Sequence, residues 1–439
     1  MTVAVTLRRT LLPDLATLRQ LVAHSVACKE EQGHDVSGLD LDAVPDSYDA
    51  LLAFAERLAD TPLVPEWPFD EPLDWDPPQL PVTVPGADVA ARVETAFLAR
   101  VAGCVLGKPF EFDPTLAELR AVLEPRGEWP LTDYVTRDTN ALLRAPQPQW
   151  PELVREQITH VCEDDDLNYT VLAMLLLERH GESFTHDDVR RLWLLQLPVL
   201  ATFGPERTQL IAAAVASLTG PAEGGSWADV LNPFDEHCGA LIRADAYGYY
   251  AAGDPTRAAR LAVRDASVTH RRTGVYATGF VAAAVAAALV SPADDRLGPF
   301  DTALQVVPPR SRLAEIVRQS LVEVRAASDW LEAYDRIHGR YGEFTHCRVY
   351  QELGTLFVTA RFAPDVGTGL GMQVCQGNDT DSFGATAGSY LGALLGPEAF
   401  DREHWLGRFG DRIHLALATF HEQSLSALAA RMAGLPGRP

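Results

Sequence analysis

Cysteine is scarce and scattered in this chain, and its pattern excludes two common uses of the residue. The sequence has six cysteines among 439 residues, with no Cys-x-x-Cys pair. A disulfide-stapled scaffold or a zinc ribbon is therefore not expected, and the thiols are expected to be reduced. Met1–Leu12 lacks a continuous apolar stretch with a small-residue cleavage site, so no secretory signal is predicted. Together these features predict a cytoplasmic location.

Positive charge is also in short supply. The chain carries 37 lysines and arginines against 60 acidic residues, for a net charge of -23, and it has no basic run. Such a field repels phosphate backbones and anionic lipid, so neither nucleic acid nor a membrane surface is expected as a partner. One uncharged stretch, Gly274 to Ala293, is mostly alanine and valine and is bracketed by charged residues. We interpret it as a buried core helix rather than a membrane span.

Strand-like alternation is rare, and helical periodicity dominates the sequence. Asp46 and Asp254 are plausible N-caps, the second followed by Pro255 at the first helical position. The fold is therefore predicted to be all-α. Helices are predicted over Leu11–Glu31, Asp46–Asp60, Val93–Val105, Leu167–Arg179, Glu206–Leu218, Pro255–Ser267, Val275–Val290, Arg312–Tyr334 and Gly384–Leu395.

A proline-dense segment marks the most credible domain boundary. Eight prolines fall in the 24 residues from Pro62 to Pro85, a density that forbids regular helix. We expect a small helical N-terminal extension over residues 1–61 and an extended connector over 62–87. The main body is expected over 88–430, with a flexible tail at 431–439. A glycine at every fourth position from Gly384 to Gly396 predicts that another backbone closely approaches the last predicted helix.

Two acidic clusters more than two hundred residues apart carry the chemistry. Asp164–Asp166 form the first cluster, and Asp379, Asp381 and Ser382 form the second. Carboxylates and hydroxyls are hard oxygen ligands, which favour magnesium, manganese or calcium over zinc. Structural interpretations remain open for both clusters, because acids are common at helix starts and as helix caps.

A further acidic residue, outside the two clusters, follows a predicted helix end. Gly107 ends the helix, Pro109 prevents its continuation, and Glu111 lies in the loop that follows. Glu111 is therefore a candidate general acid or base, although taken alone it is one glutamate among many that are simply exposed.

Four blocks of the sequence, in order, resemble the ADP-ribosylglycohydrolase family, of the type of the dinitrogenase reductase-activating glycohydrolase. The blocks are residues 103–111, 164–170, 238–270 and 377–396, and the resemblance covers about residues 92–425. Asp165 and Asp166 match the aspartates of a Thr-Asp-Asp-Thr motif, with Asp164 in place of its first threonine. Ser382 stands for a threonine, and Cys104 stands where many members have aspartate.

The resemblance implies a compact orthogonal helical bundle and a dinuclear metal site. Two Mg²⁺ ions, with Mn²⁺ as the alternative, are expected beside Glu111 as the catalytic or metal-gating acid. The implied metal ligands are Asp164, Asp165, Asp166, Asp379, Asp381 and Ser382. Substrate-binding candidates within the matched blocks are Gly107, Arg243, Asp245, His270, Gly377 and Asn378.

The implied activity is hydrolysis of the N- or O-glycosidic bond of an ADP-ribosyl conjugate. The partner would be an ADP-ribosylated protein or a small nucleotide conjugate. Two alternatives stay open: a glycohydrolase acting on a small NAD-derived metabolite, and a non-catalytic ADP-ribose-binding or structural protein. Substrate identity, oligomeric state and the role of the N-terminal extension do not follow from the sequence.

Overall fold

The structure is a computed structural model that describes residues 13–111, 114–142, 152–219, 231–344 and 346–437. The first twelve residues, for which no secretory signal is predicted, lie outside the described part of the chain. Within that part the fold is all-α, as predicted, with one small two-stranded antiparallel sheet.

The described part of the chain contains two short strands and a series of helices. They are α1 (Leu15–Glu31), α2 (Tyr48–Ala59), α3 (Val89–Gly107), α4 (Leu116–Leu123), α5 (Arg137–Asn140), α6 (Asp165–His180), α7 (His186–Gln196), α8 (Gly204–Thr219), α9 (Asp245–Tyr250), α10 (Pro255–Ala266), α11 (Arg272–Ala288), α12 (Gly298–Leu304), α13 (Arg312–Ala326), α14 (Trp330–Tyr341), α15 (Val349–Phe362), α16 (Val366–Cys375), α17 (Thr380–Leu395), α18 (Arg402–Leu406) and α19 (Leu425–Ala433). The strands are β1 (Arg412–His414) and β2 (Glu422–Ser424).

Helix caps decide two boundaries that periodicity alone misplaced. The single helix predicted over Arg312–Tyr334 is wrong, because the Asp329 side chain accepts hydrogen bonds from the backbone N–H groups of Leu331 and Glu332 and starts a new helix, α14. The N-cap of α2 is Ser47 rather than Asp46, whose carboxylate instead pairs with Arg19 at 2.5 Å. The predicted cap at Asp254 is confirmed, since its side chain accepts from the Arg257 N–H at 3.0 Å.

Helices α3 and α17 run antiparallel with their backbones in near contact. A Cβ atom added at Gly103 would lie 2.0 Å from the Gly384 carbonyl oxygen, and one added at Gly388 would lie 2.2 Å from the Ala99 carbonyl oxygen. A Cβ at Gly107 would lie 2.1 Å from the Thr380 carbonyl oxygen. The predicted close approach along the glycine face of α17 is therefore confirmed, and it brings the end of α3 onto the start of α17.

Helix α11 occupies the centre of the body. Apart from its first residue, Arg272, each of its residues from Thr273 to Ala288 is buried, which confirms the predicted core helix in this stretch. Among the described residues, no helix combines the length and apolar character that a membrane span needs.

The N-terminal extension and the connector both lie on the body. Helices α1 and α2 enclose a small apolar cluster that includes Leu18, Phe54 and Leu231. Gln32 donates a hydrogen bond to Asp235 at 2.9 Å, which joins the extension to the body.

The connector contains no helix and is held by polar contacts. Glu71 pairs with Arg312 at 2.7 Å, and the Trp75 indole N–H donates to the Val306 carbonyl at 2.8 Å. At the other end of the chain, α19 runs to Ala433 and Leu435 is buried, so ordered structure continues past residue 431, where a flexible tail is expected.

The glycine contact makes a stability prediction. Gly388→Ala should destabilise the protein by about 1–3 kcal/mol, because its new Cβ meets fixed backbone of α3 and the helices must separate. Urea denaturation followed by circular dichroism measures the change. The matched control is Gly339→Ala in α14, where an added Cβ meets nothing within 4 Å and should stabilise the helix by about 0.5–1 kcal/mol. Equal effects of the two substitutions would contradict the close packing of α3 and α17.

Candidate active site

The two acidic clusters that lie far apart in sequence meet in one buried site. The contact of α3 with α17 lies at one end of this site, where the Thr380 hydroxyl donates a hydrogen bond to the Gly107 carbonyl at 2.8 Å. The Ser382 hydroxyl donates to the Asp166 carboxylate at 3.2 Å, which joins the second cluster directly to the first. Asp164, Asp166, Asp379, Asp381 and Ser382 are all buried, and Asp165 is half-buried.

The first cluster stands at the start of α6. Asp164 is the N-cap, and its Oδ1 accepts the Asp166 backbone N–H at 2.9 Å. Asp165 and Asp166 occupy the first turn, where the positive end of the helix dipole favours negative charge. Asp164 therefore caps the helix, as a charged helix start would, and the Asp166 side chain contacts Ser382 of the second cluster.

The second cluster lies in a tight loop before α17. Gly377 and Asn378 both have positive φ, of 82° and 61°, and the Asn378 N–H donates to the Pro114 carbonyl at 2.9 Å. Asp379 is at the N-cap position of α17 but makes no capping hydrogen bond. Its Oδ2 instead accepts from the thiols of Cys238, at 3.1 Å, and Cys347, at 3.5 Å. The carboxylate of Asp379 is therefore not used as a helix cap.

Burial and mutual repulsion dominate the electrostatics of the site. Burial, reinforced by the neighbouring carboxylates, raises the pKa values of Asp165, Asp166 and Asp381 well above their usual range. Asp164 differs, because burial acts to raise its pKa but the charge and hydrogen bond of Lys108 outweigh that effect and lower it. The carboxylates of Asp165, Asp166 and Asp381 therefore have too little positive charge nearby to offset their burial and mutual repulsion.

Glu111 joins the same group from the loop after α3. Burial raises its pKa to about 7, with Lys108 opposing the rise and Asp164 and Asp379 adding to it. Its side chain also hydrogen-bonds Asp381. The structure therefore brings the candidate general acid or base into contact with the second acidic cluster.

The donor set fits a divalent cation. Carboxylates with raised pKa values and a serine hydroxyl line one site, and a bound cation would relieve their repulsion. Cysteine thiols border the acids, since the ligand atoms of two groups each lie within 4.8 Å of one another. Those groups are Cys104 with Asp164 and Asp166, and Cys238 with Cys347 and Asp379. Thiols are softer ligands than Mg²⁺ prefers, so the oxygen atoms are its expected ligands.

Three of the substrate-binding candidates lie in buried networks. Arg243 is 1% exposed and pairs with Glu206 at 2.9 Å and with Asp265. Asp245 pairs with Arg100 at 2.6 Å. His270 is also fully buried, with its Nδ1 2.7 Å from the Thr269 hydroxyl oxygen.

Two residues of the site carried no signal in the sequence. Arg100 lies on α3 and pairs with Asp166 at 3.4 Å while holding Asp245, so it joins the acidic site to the third matched block. Cys347 adopts a positive φ of 65° and reaches Asp379 from the segment before α15. Nothing in their spacing indicated these contacts, because each depends on how distant helices pack.

An all-α body with a buried site of carboxylates from two remote loops is typical of a class of helical enzymes with an acidic centre whose donor set fits a divalent cation. The sequence profile of the ADP-ribosylglycohydrolase family matches residues 85–435, and the chain belongs to that family. It is therefore a hydrolase that acts on glycosidic bonds. Members of the family generally use divalent metal ions.

Comparison with other known proteins adds little beyond the family. No curated protein matches the chain. A solved structure described as "ADP-ribosylglycohydrolase-related protein complex" is similar to it at 19% identity with a TM-score of 0.48, covering 79% of this chain and 99% of that one.

The raised pKa of Glu111 predicts how stability depends on pH when metal is removed. Between pH 4.5 and about 7 the folded state holds a proton that the unfolded state has lost, so the free energy of unfolding falls as pH rises through this window. In EDTA, Glu111→Gln should flatten that fall, as measured by urea denaturation at several pH values. Glu398→Gln, at an exposed position, is the control and should leave the slope unchanged. A wild-type slope retained in Glu111→Gln would contradict the assignment.

Proposed function

We propose that this protein is a magnesium-dependent glycohydrolase that cleaves the N- or O-glycosidic bond of an ADP-ribosyl or related nucleotide-ribosyl conjugate. The observation that carries the proposal is the contact of two remote acidic clusters in one buried site, through Ser382 and Asp166 at 3.2 Å. Family membership supplies the bond type, and the site supplies the cation-binding chemistry. Two cation positions are the number that the resemblance implies.

The proposed ligands are the oxygens of both clusters. Asp165, Asp166, Asp379, Asp381 and Ser382 offer carboxylate and hydroxyl oxygens within one site. Bound Mg²⁺ would orient the ribose hydroxyls and lower the pKa of a water beside the anomeric carbon. Asp164 is also part of the expected ligand set, and its contacts with Lys108 and the Asp166 N–H compete for that role.

Glu111 is proposed as the residue that moves the proton. Its carboxylate lies beside Asp381 and would accept or relay the proton of the attacking water. Cleavage then breaks the glycosidic bond, the water oxygen bonds to the anomeric carbon, and the proton passes to the leaving group. The contact of Glu111 with Asp381 supports this role.

Substrate contact is proposed for the backbone of two loops. Gly107, Gly377 and Asn378 lie where α3 ends and α17 begins, next to the carboxylates. Arg243, Asp245 and His270 are proposed to act through other residues. Arg100 forms ion pairs with both Asp245 and Asp166, so Asp245 can orient Asp166 through Arg100, which supports this assignment. Their burial leaves ligand orientation as the more direct use of these side chains.

The test of the reaction compares substrates with and without metal. The purified chain is incubated with ADP-ribosyl-arginine, ADP-ribosyl-serine and free nucleotides, in Mg²⁺ and in EDTA, and released ADP-ribose or ribose product is quantified. Turnover of a conjugate only in Mg²⁺ supports the proposal. Turnover restricted to a free nucleotide identifies the alternative, a glycohydrolase of a small NAD-derived metabolite. Turnover that is undiminished in EDTA contradicts the metal requirement.

The ligand role of Asp381 gives a mutational prediction. Asp381→Ala should weaken Mg²⁺ binding and lower kcat/KM together, by more than the about 10- to 100-fold typical of a lost outer-shell partner. Isothermal titration with Mg²⁺ and the hydrolysis assay measure the two effects. Asp335→Ala, at an exposed position on α14, is the matched control and should change neither. Near wild-type turnover in Asp381→Ala would show that the ligand assignment is wrong.

A further inference from the structure

Lys108 is an unusual cation for this chain. Of its 37 basic residues only two are lysines, Lys29 and Lys108, and the rest are arginines. Arginine is the common choice for buried ion pairs, because its planar fork matches a carboxylate, whereas the lysine ammonium is a compact point charge. Lys108 is 8% exposed and lies within the acidic site. The ammonium of Lys108 therefore resembles a bound metal cation, because both are compact positive charges.

The ammonium of Lys108 lies between the two acidic clusters. Its Nζ forms an ion pair with Asp164 Oδ2, and it lies 3.8 Å from Asp381 Oδ2. Glu111, Asp164 and Asp381 all act on Lys108 electrostatically, so three of the acids of the site share one protein cation. This is the bridging role that a cation between the two loops would otherwise fill.

Both carboxylate oxygens of Asp164 accept hydrogen bonds from protein donors. Its Oδ1 accepts the Asp166 N–H at 2.9 Å, and its Oδ2 accepts from Lys108. The thiol of Cys104 provides a further hydrogen bond to the same side chain. A metal ion at Asp164 would have to compete with these donors, and the Lys108 ammonium lies closer to Asp164 than to Asp381.

The fold holds Lys108 in this position. Lys108 follows Gly107 directly, at the point where the backbone of α3 meets that of α17, and Pro109 comes next. Lys108, Pro109 and Phe110 form one buried 3₁₀ turn. A second divalent ion at Asp164 would either displace this ammonium, at the cost of its buried ion pair with Asp164, or lie beside it, where charge repulsion opposes binding.

We propose that the Lys108 ammonium takes one of the two cation positions of the site, so that the chain binds a single divalent ion. The residues that would hold that ion are Asp165, Asp166, Asp379, Asp381 and Ser382. Asp164 then serves to bind the lysine and to cap α6, and it is not a metal ligand. The inference rests on the proposed metal-dependent function and fixes the number of metal ions for it.

The experiment counts bound Mn²⁺, used as a paramagnetic probe for the divalent site. Metal-free protein is titrated with Mn²⁺, free Mn²⁺ is followed by electron paramagnetic resonance, and native mass spectrometry gives the number bound per chain. The wild type should bind one ion. Lys108→Ala removes the ammonium and opens space, so it should bind a second ion. Lys29→Ala removes the other lysine of the chain and should still bind one.

Two further variants keep the test decisive if Lys108→Ala does not fold. Asp164→Asn should retain the single Mn²⁺ with an affinity within about threefold of the wild type, while Asp381→Ala should lose it, and melting temperatures with and without Mn²⁺ report the same contrast. Two ions in the wild type, an unchanged number in folded Lys108→Ala, or loss of the ion in Asp164→Asn would each overturn the inference alone. A wild type that binds no ion would overturn the proposed metal-dependent function as well.

Discussion

The near contact of two helix backbones is the constraint on which the site depends. Only where α3 and α17 both present glycine can the Gly107 carbonyl reach the start of α17, and this contact brings the loop after α3 to the second acidic cluster. Side chains on that face would separate the helices by several ångströms and divide the carboxylates between two regions of the protein. The close packing of α3 and α17 in the core thus sets how the acidic residues of the site are positioned.

Close approach of so many acids creates the second constraint, which is charge. Buried carboxylates repel one another, and the fold offsets this repulsion with Arg100 at Asp166 and Lys108 at Asp164. The remaining negative charge and the hard oxygen donors of the site fit a divalent cation such as Mg²⁺. The protein therefore supplies part of the compensating positive charge itself, through Arg100 and Lys108.

Sequence reasoning predicted the helical class, the glycine-lined contact and the two acidic clusters, because each follows from local periodicity or composition. The predicted helix boundaries were wrong where a single capping side chain sets the start of a helix. Asp329 interrupts the helix expected over Arg312–Tyr334, and Ser47 rather than Asp46 caps α2, since several polar residues compete for each cap and only packing selects one. No sequence pattern predicted the contacts of Cys347 with Asp379 and of Arg100 with Asp166.

The sequence by itself determined which residues have the chemistry for a cation site, because ligand type is a property of the side chain. It also determined the family, since the motifs occur in order along the chain. Only the tertiary structure decided which partner each of those carboxylates contacts. Asp164, Asp166 and Asp381 look equivalent in sequence, yet Lys108 pairs closely with Asp164, while Asp166 faces the second cluster. That difference depends on distances between α3, α6 and α17, which no local pattern encodes.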